Sequence, residues 1–211
     1  MQMSKEGRAV ADTLPGPELS IIVPTFNERE NIGRLVDLLE SCLAGVRWEL
    51  IVVDDDSPDN TADLVRGLAG VNAHVRCVQR IGRRGLSSAC LEGMLSSSAP
   101  FLAVMDGDLQ HDERLLPEML RQLKDGNYDL VVGSRYMAGG SIGQWDEMRA
   151  KTSRWATSMS RPWVPEGLTD PMSGFFALRR DTFESLVRRT SGLGFKLLLD
   201  LFASSPRPLR F

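Results

Sequence analysis

Apolar residues along the chain alternate between short continuous runs and longer stretches with helical spacing. The continuous runs predict buried strands at residues 19–23, 48–53, 75–78, 101–105 and 129–132. Apolar positions three and four residues apart predict helices at residues 31–43, 86–96 and 114–123, and a further helix that Ser57 caps and Pro58 opens. This alternation predicts an α/β fold, with a mostly parallel central sheet and helices on both faces.

The pattern becomes less regular after residue 134. A glycine-rich loop over residues 134–145 is followed by a polar stretch, residues 146–160, that is predicted to be helical. An apolar run predicts a further strand over residues 175–178, and Asp181 is expected to cap a short helix over residues 181–187. No repeat or linker divides the chain, so we expect a single domain with a more irregular second half.

The domain is expected to span residues 19–211. Residues 1–18 are predicted to be a disordered leader, because they lack the apolar core of a signal peptide. No stretch approaches the roughly 20 apolar residues of a membrane span. A hydrophobic fraction of 42% and a charged fraction of 25% are typical of a folded globular chain. The net charge of −3 gives no basis for nucleic-acid binding.

The three cysteines, Cys42, Cys77 and Cys90, are widely spaced and odd in number. Their spacing matches neither a structural zinc site nor a disulfide framework. A reducing compartment is therefore expected, with each cysteine serving as a small apolar side chain.

Polar motifs follow three of the predicted strands, and a parallel sheet binds its ligands beyond the carboxyl ends of its strands. The first motif is PTFNERENI at residues 24–32, which places Phe26 and Glu28 after the first strand. It lacks the glycine pattern of a dinucleotide-binding loop, so a dehydrogenase of the Rossmann type is disfavoured. An alternative interpretation of Glu28 is an ordinary acid near the first turn of a helix.

The second motif, VVDDDSPDNTAD, contains three successive carboxylates, Asp54, Asp55 and Asp56. Adjacent carboxylates repel one another, and a capping turn would explain at most Asp56 and Ser57. Carboxylates also accept hydrogen bonds from the N–H groups of a nucleobase and from ribose hydroxyls. The motif therefore indicates one side of a nucleotide pocket.

The third motif is VMDGDLQHD, which directly follows an apolar strand. In extended backbone, Asp106 and Asp108 would point the same way and could share a divalent cation such as Mg²⁺ or Mn²⁺. Gly107 between them leaves room for a ligand close to the main chain. A bridging cation would let this acidic crevice bind a nucleotide diphosphate. His111 is interpreted as a solvated hydrogen-bond donor in the turn.

These motifs, together with GLSSACLEG, VVGSRY and DPMSGFFALRR, occur in the order found in family-2 glycosyltransferases. Over residues 19–200 the chain resembles that family, and within it the polyprenol-phosphate (dolichol-phosphate) mannose synthases. The resemblance implies a single Rossmann-like domain with the GT-A fold. It also implies a metal-dependent enzyme that transfers mannose from GDP-mannose to a polyprenyl monophosphate, with inversion at the anomeric carbon.

The same resemblance implies roles for individual residues. The implied metal ligands are Asp106, Asp108 and Gln110, with Mg²⁺ or Mn²⁺ as the ion. The implied catalytic residues are Asp106, Asp108 and Arg135. The implied nucleotide- and substrate-binding residues are Pro24, Phe26, Glu28, Val53, Asp55, Gly107, Arg135, Arg149, Ser173 and Lys196. Arg135 and Lys196 would contact phosphates, while Arg149 and Ser173 would lie toward the acceptor.

A lipid acceptor implies a location at the cytoplasmic face of a membrane, either peripheral or anchored by a segment absent from this chain. A homo-oligomer or a membrane-anchoring partner is a further expectation. Members of the family continue beyond the equivalent of residue 211 with a further strand, a basic segment and often membrane helices, so the chain is expected to be truncated. A tryptophan-, methionine- and arginine-rich segment near residues 145–163 is interpreted either as a helix on the membrane surface or as core packing. Two departures from the family pattern are Gly107 where alanine is usual and Arg84 where lysine is usual.

Several alternatives stay open at this point. A transferase of the same fold could use UDP-glucose or another sugar nucleotide. A sugar acceptor would be indicated by the signature Q-x-x-R-W, which KTSRW at residues 151–155 matches only in part. A non-catalytic sugar-nucleotide-binding domain would retain the same motifs. A nucleotidyltransferase is disfavoured, because no glycine-rich phosphate loop follows the first strand.

Overall fold

The computed structural model describes residues 16–134 and 167–211 of the chain. Within these ranges the strands are β1 Leu19–Thr25, β2 Trp48–Asp54, β3 Val75–Gln79, β4 Phe101–Val104, β5 Leu130–Val132 and β6 Phe176–Arg179. The helices are α1 Arg29–Cys42, α2 Thr61–Ala69, α3 Leu86–Ser96, α4 Leu116–Lys124, α5 Arg180–Leu186 and α6 Leu197–Ser204. A 3₁₀ turn, Glu113–Leu115, leads into α4.

The strands form one sheet in the order β3-β2-β1-β4-β6-β5. Strand β1 pairs in parallel with β2 and β4, and β2 pairs in parallel with β3. Strand β6 lies between β4 and β5 and runs antiparallel to both. The predicted mostly parallel sheet is therefore confirmed, although the sequence pattern gave no sign of the reversed direction of β6.

Side chains of the central strands alternate between two cores, one on each face of the sheet. In β1, Ile21 and Val23 pack with α1, α2 and α4, whereas Ile22 packs with α3, α5 and α6. Helix α3 lies close to the sheet because Gly93 has no side chain: a β-carbon there would lie 2.6 Å from Cγ2 of Ile22. The predicted helices on both faces are confirmed.

The start of α2 differs from the prediction. The helix begins at Thr61 rather than at Pro58, and Ser57 does not cap it. The Ser57 hydroxyl instead donates to Oδ1 of Asp54 at 2.5 Å. The Asp59 carboxylate accepts from the main-chain N–H of Thr61 at 3.0 Å. These side-chain bonds stabilise a turn ahead of the helix and thereby delay its start.

Two other predicted helices also shift at their amino ends. The helix predicted over residues 114–123 begins as the 3₁₀ turn and becomes α-helical only at Leu116. Helix α5 begins at Arg180, so Asp181 lies in its first turn rather than at the cap. Oδ1 of Asp181 still accepts from the N–H of Thr182 at 2.7 Å, so this acid does stabilise the helix start.

Glu18, which the sequence places in the leader, is bonded to the domain. Its N–H donates to the carbonyl of Arg47 at 2.7 Å. Its carboxylate lies 2.7 Å from Nζ of Lys124, and this hydrogen bond lowers the pKa of Glu18. The ordered domain thus includes residues before Leu19. Residues 1–15 of the predicted leader lie outside the described residues.

All three cysteines fall within the described residues, and none is in a disulfide. Burial raises the pKa of Cys90 and, to about 11, that of Cys42. Both thiols therefore stay protonated near neutral pH, as expected for small apolar side chains.

In the part of the chain that the structure describes, no helix has both the length and the apolar character needed to cross a bilayer. The predicted helix at residues 146–160 and the tryptophan-rich segment lie outside that part.

Candidate functional site

The three polar motifs meet along one edge of the sheet. Strand β1 is the neighbour of both β2 and β4, with Thr25 beside Asp54 and Ile22 beside Val104. We call this the carboxyl edge. It comprises residues 24–28 and 54–57, which include the last residues of β1 and β2, and residues 105–111, which follow β4. The sequence prediction that these motifs lie together is confirmed in this respect.

The first two aspartates of the second motif have internal partners. Asp54 is fully buried and accepts from the hydroxyl of Thr25 at 3.0 Å and from the N–H of Ser57 at 2.9 Å. Asp55 is also buried and forms an ion pair with Arg80, from Nη1 to Oδ1, at 2.7 Å.

The third aspartate, Asp56, is likewise bonded: its carboxylate accepts from the side chain of Gln79 at 3.1 Å and from the N–H of Gly82 at 3.2 Å. The expectation that a structural role explains at most Asp56 and Ser57 is therefore wrong, since every carboxylate of the triplet stabilises a turn or loop.

Arg80 is a site residue that the sequence analysis missed. It follows β3 directly, is almost fully buried, and donates to Ser88 Oγ at 2.7 Å as well as to Asp55. Asp55 in turn accepts from the N–H of Gly85 at 2.6 Å. This network fixes the loop before α3 against the end of β2. The sequence offered two signals for this pairing. Arg80 closely follows a predicted strand, and the second motif contains more aspartates than a capping turn would use.

Phe26 lies at the same edge, with its ring 40% exposed. The guanidinium carbon of Arg84 lies 4.1 Å from the ring centroid, so one face of the ring carries a cation–π contact. The loop after β1 and the loop before α3 are thereby joined above the sheet. Pro24, two residues earlier, is half-buried. The nucleotide-binding roles of Pro24 and Phe26 stay predictions.

Val53 differs from its predicted role. Its side chain is fully buried in the core against α3, so it does not line a pocket. Glu28 is half-buried, and its carboxylate accepts from the side-chain amide of Asn31 at 2.6 Å. Glu28 also lies near Gly107, where a β-carbon would be 3.6 Å from its Cγ.

The Asp106 carboxylate lies between His111, which is close in sequence, and Gly174, which is distant in sequence. Nε2 of His111 lies 3.1 Å from Oδ2 of Asp106, and the His111 ring packs against Phe175 at a centroid distance of 5.2 Å. The His111 side chain is only 8% exposed, so its interpretation as a solvated donor is wrong. Gly174 also approaches this carboxylate, because a β-carbon there would lie 2.3 Å from Oδ2.

Asp108 lies in a turn, not in extended backbone as assumed from the sequence. The turn begins at Gly107, and Leu109 has a φ of 61°. Oδ1 of Asp108 accepts from the N–H of Gln110 at 3.1 Å, and both side chains are exposed. Gly107 is enclosed: a β-carbon there would lie 3.3 Å from Cγ1 of Val23.

These carboxylates fit a hard divalent cation. Asp106 and Asp108 supply oxygen ligands on either side of one glycine, and Mg²⁺ is typically bound by one or two carboxylates plus substrate oxygens. The described residues contain no cluster of three or more His, Cys, Asp or Glu side chains arranged to hold a metal. The fit therefore depends on a ligand that supplies the remaining oxygens. A metal-ligand role for Gln110 stays a prediction.

The predicted acceptor-side residues have mixed outcomes. Arg135 and Arg149 lie outside the described residues. Ser173 is buried, and its hydroxyl donates to the carbonyl of Gly133 at 2.8 Å and accepts from the N–H of Phe175 at 3.1 Å. This hydroxyl joins the end of β5 to the start of β6, so contact with an acceptor is not its role here.

Two further contacts bring distant loops to this region. Ser134 and Thr169 are joined through their hydroxyl oxygens at 2.8 Å. Lys196 is half-buried directly before α6, in a loop whose Gly194 carbonyl accepts from the N–H of Ser87 at 3.1 Å. Lys196 thus lies near the start of α3, which follows the Arg84 loop.

Comparison with known proteins matches residues 20–187 to the family described as Glycosyl transferase family 2. The chain is 37% identical over 186 residues to the dolichol-phosphate mannosyltransferase of Pyrococcus furiosus, which covers 87% of this chain and 52% of that protein. It is 37% identical over 196 residues to the dolichol-phosphate mannosyltransferase of Saccharomyces cerevisiae, with 90% of this chain and 72% of that protein covered. The chain therefore spans about half of the Pyrococcus protein.

A solved structure with a similar fold is glucosyl-3-phosphoglycerate synthase of Mycobacterium tuberculosis, in complex with Mn²⁺, UDP-glucose and phosphoglyceric acid. The TM-score is 0.66 and the identity 21%, with 88% of this chain and 64% of that chain covered. At this identity the likeness concerns the fold alone. The predicted GT-A fold is confirmed.

Proposed function

The chain belongs to glycosyl transferase family 2, and we propose that it transfers mannose from GDP-mannose to a polyprenyl monophosphate of the dolichyl type. The observation that carries the proposal is the meeting of three motifs at the carboxyl edge: the Phe26 platform, the Asp55–Arg80 pair and the Asp106–Asp108 carboxylates. The similarity to two dolichol-phosphate mannosyltransferases over most of this chain supports the choice of donor and acceptor.

Asp106 and Asp108 would hold Mg²⁺ or Mn²⁺, with Gln110 beside them. When bound, the ion would supply charge stabilisation for the leaving nucleoside diphosphate. His111 would keep the Asp106 carboxylate in one orientation, because its Nε2 lies within hydrogen-bond distance of Oδ2. Gly174, which has no β-carbon, lets the main chain before β6 pack closely against the same carboxylate.

The nucleotide would lie toward β1 and β2. Phe26 offers an aromatic surface that is partly exposed, and Arg84 adds a positive charge next to it. These two residues suit stacking against a base, together with Pro24. The buried Asp55–Arg80 pair would hold the Arg84 loop in place rather than contact the nucleotide with a free carboxylate.

The acceptor is a phosphate monoester, whose second pKa of about 6 leaves it anionic at neutral pH. Its oxygen needs no strong general base to attack the sugar. Direct displacement of the diphosphate by this oxygen inverts the anomeric carbon. Lys196 and Arg135 would offset the repulsion between the two phosphate groups, with Arg149 on the acceptor side. A lipid acceptor requires the enzyme to work at a membrane surface, for which the cytoplasmic face, a homo-oligomer and an anchoring partner remain proposals.

Transfer of radiolabelled mannose from GDP-mannose into dolichyl phosphate tests the proposal directly. The 211-residue chain is expected to form lipid-linked mannose with Mg²⁺ or Mn²⁺, and Asp108→Asn should lower the rate by about 10²-fold or more. Asp112→Asn is the matched control, because Asp112 is a nearby exposed aspartate paired with Arg114. It should retain the activity of the unsubstituted chain.

Parallel reactions with UDP-glucose test the alternative donor. Glucose transfer in place of mannose transfer would contradict the proposed donor and leave the transferase class intact. Nucleotide binding without transfer of either sugar would favour a non-catalytic binding domain. Mannose transfer that persists in excess chelator would contradict the metal role of Asp106 and Asp108.

A further inference from the structure

We propose that two loops at the carboxyl edge dock the protein on an anionic lipid bilayer. The loops are residues 81–86, before α3, and residues 191–196, before α6; together we call them the docking loops. The inference rests on the proposed function in one respect: the proposed lipid acceptor explains why docking on a membrane would be useful. The surface itself is defined by exposure, contacts and charge.

The docking loops expose large apolar side chains to solvent. Ile81 is 74% exposed, Leu193 80% and Phe195 73%, and Leu86 is partly exposed. These side chains lie on two segments that meet at the start of α3, and large exposed apolar groups on adjoining segments mark a site of interaction. The comparable exposed side chains Val71 and Leu95 lie apart from them, just before β3 and near the end of α3.

The second loop is bonded to α3 directly after the first loop, and both loops are anchored to the domain. The N–H of Ser87 donates to the carbonyl of Gly194 at 3.1 Å, which joins the second loop to the start of α3. The Asp200 carboxylate accepts from the N–H of Gly192 at 3.0 Å and from the hydroxyl of Ser191 at 2.8 Å. The apolar side chains are therefore presented from loops of defined shape.

The first docking loop is anchored by the network already described. The Arg80 guanidinium donates to the carbonyl of Gly85 at 3.1 Å, and the Gly85 N–H donates to Asp55. The loop therefore has a fixed position relative to the end of β2. A partner that binds this loop would therefore also face the carboxyl edge.

The charge of these segments is positive. Arg83, Arg84 and Lys196 lie within the docking loops, and no acid occurs in residues 80–91 or 186–199. Arg83 makes one ion pair, with Glu92 at 2.8 Å, and its side chain remains 57% exposed. Exposed apolar side chains mixed with cations are typical of proteins that insert into the headgroup region of anionic membranes.

The same charge disfavours a second copy of the chain as the partner. A symmetric contact through the docking loops would bring the arginines and Lys196 of one copy close to those of the other. Like charges across an interface oppose association, whereas phosphate and carboxylate headgroups neutralise them. An anionic bilayer therefore satisfies both the apolar and the charged part of the surface.

Vesicle co-sedimentation of the 211-residue chain tests the proposal without nucleotide or polyprenyl phosphate. The vesicles contain phosphatidylcholine alone or with phosphatidylserine. We expect binding to the anionic vesicles, and about tenfold weaker binding after the double substitution Leu193→Ser with Phe195→Ser. The matched control, Val71→Ser with Leu95→Ser, removes two exposed apolar side chains elsewhere and should bind as the unsubstituted chain does. Equal binding by both double variants would overturn the proposal.

A fluorescence reporter gives a second measurement that does not depend on loss of folding. Phe195→Trp should show an added blue-shifted emission with anionic vesicles, relative to the unsubstituted chain, whereas Val71→Trp should show none. Binding should also weaken between about 0.15 M and 1 M salt, as the screening length falls from about 8 Å to about 3 Å.

Three results would contradict membrane docking: no shift at residue 195, equal binding to neutral vesicles, or a dimer in sedimentation velocity that the Leu193→Ser, Phe195→Ser variant abolishes. Because no substrate is present, failure of the transferase assay leaves this measurement unaffected, and the reverse also holds.

Discussion

Aspartates at the two edges of the sheet have different partners. At the edge where β1 begins, Asp129 precedes β5 and is buried. It accepts from Nη2 of Arg210 at 2.8 Å and from Nη1 of Arg207 at 3.0 Å. At the carboxyl edge, Asp106 is bonded to His111 and Asp108 to a main-chain N–H. Neither of these forms an ion pair with an arginine or lysine among residues 16–134 and 167–211.

The difference separates two uses of the same side chain. A carboxylate whose oxygens are neutralised by arginines stabilises the fold and has little capacity left for another cation. A carboxylate that faces an imidazole, a glycine and solvent keeps that capacity. Substitutions at the carboxyl edge should therefore change activity, whereas substitutions around Asp129 at the opposite edge should change stability.

Among the substitutions that test this comparison of the two edges, the largest effect is expected from Gly174→Ala. The added methyl group would lie 2.3 Å from Oδ2 of Asp106 and must displace that carboxylate. Displacement of a metal ligand should reduce Mn²⁺ affinity and mannose transfer by about 10–100-fold. Mn²⁺ binding by electron paramagnetic resonance and the transfer assay measure the two effects. Gly33→Ala is the control, because no atom lies within 4 Å of the added carbon in α1. Unchanged Mn²⁺ affinity in Gly174→Ala would show that Asp106 does not hold the ion.

A smaller effect, on stability alone, is expected from Asp129→Asn. The hydrogen bond from Arg210 holds the pKa of Asp129 well below its usual range, and Arg207 adds to this. The two arginine side chains are largely exposed, so the loss should be only about 1–2 kcal/mol of unfolding free energy at pH 7. Urea denaturation measures it, and Asp125→Asn, in an exposed pair with Arg121, is the control.

The pH dependence of that loss has a defined sign. Because the folded-state pKa of Asp129 is depressed, its contribution is fully present above the unfolded value of about 3.9. It decreases as the pH falls below that value toward the folded pKa. The difference between Asp129→Asn and the unsubstituted chain should therefore shrink between pH 5 and pH 2.5, roughly. A constant difference over this interval would contradict the ion-pair explanation.

The smallest effect is expected from Arg84→Ala. Loss of the cation above Phe26 should weaken GDP binding by about twofold to fivefold, since such a contact contributes about 0.5–1 kcal/mol at an exposed site. Calorimetric titration with GDP measures the change. Arg114→Ala removes an exposed arginine that is paired with its neighbour Asp112 and should leave GDP affinity unaltered. Equal affinities for all three proteins would place the base away from Phe26.

The sheet was predictable because its signals are local. Leu50, Ile51, Val52 and Val53 form a continuous apolar run, which is sufficient to predict a buried strand. The order of motifs after the strands was also legible, since parallel strands bring their carboxyl ends together. Two of the errors in the site depended on contacts between distant residues.

His111 illustrates the limit. Its burial depends on Phe175, far along the chain, and on strand β6, whose antiparallel insertion leaves no local trace in the sequence. The same holds for Asp55, whose partner Arg80 belongs to the end of a different strand. Neither pairing follows from spacing or periodicity, because each requires knowledge of which strands are neighbours.

The hydroxyl contact between Ser134 and Thr169 has a consequence for how this protein can diversify. Ser134 and Thr169 are 35 residues apart in the sequence, so this contact fixes both ends of the stretch between them at one place. Doubling the length of a segment closed in this way costs only about 0.6 kcal/mol in closure entropy. A change in the length of the stretch between these two anchors should therefore cost the fold little stability, which leaves this junction free to vary while the sheet keeps its arrangement.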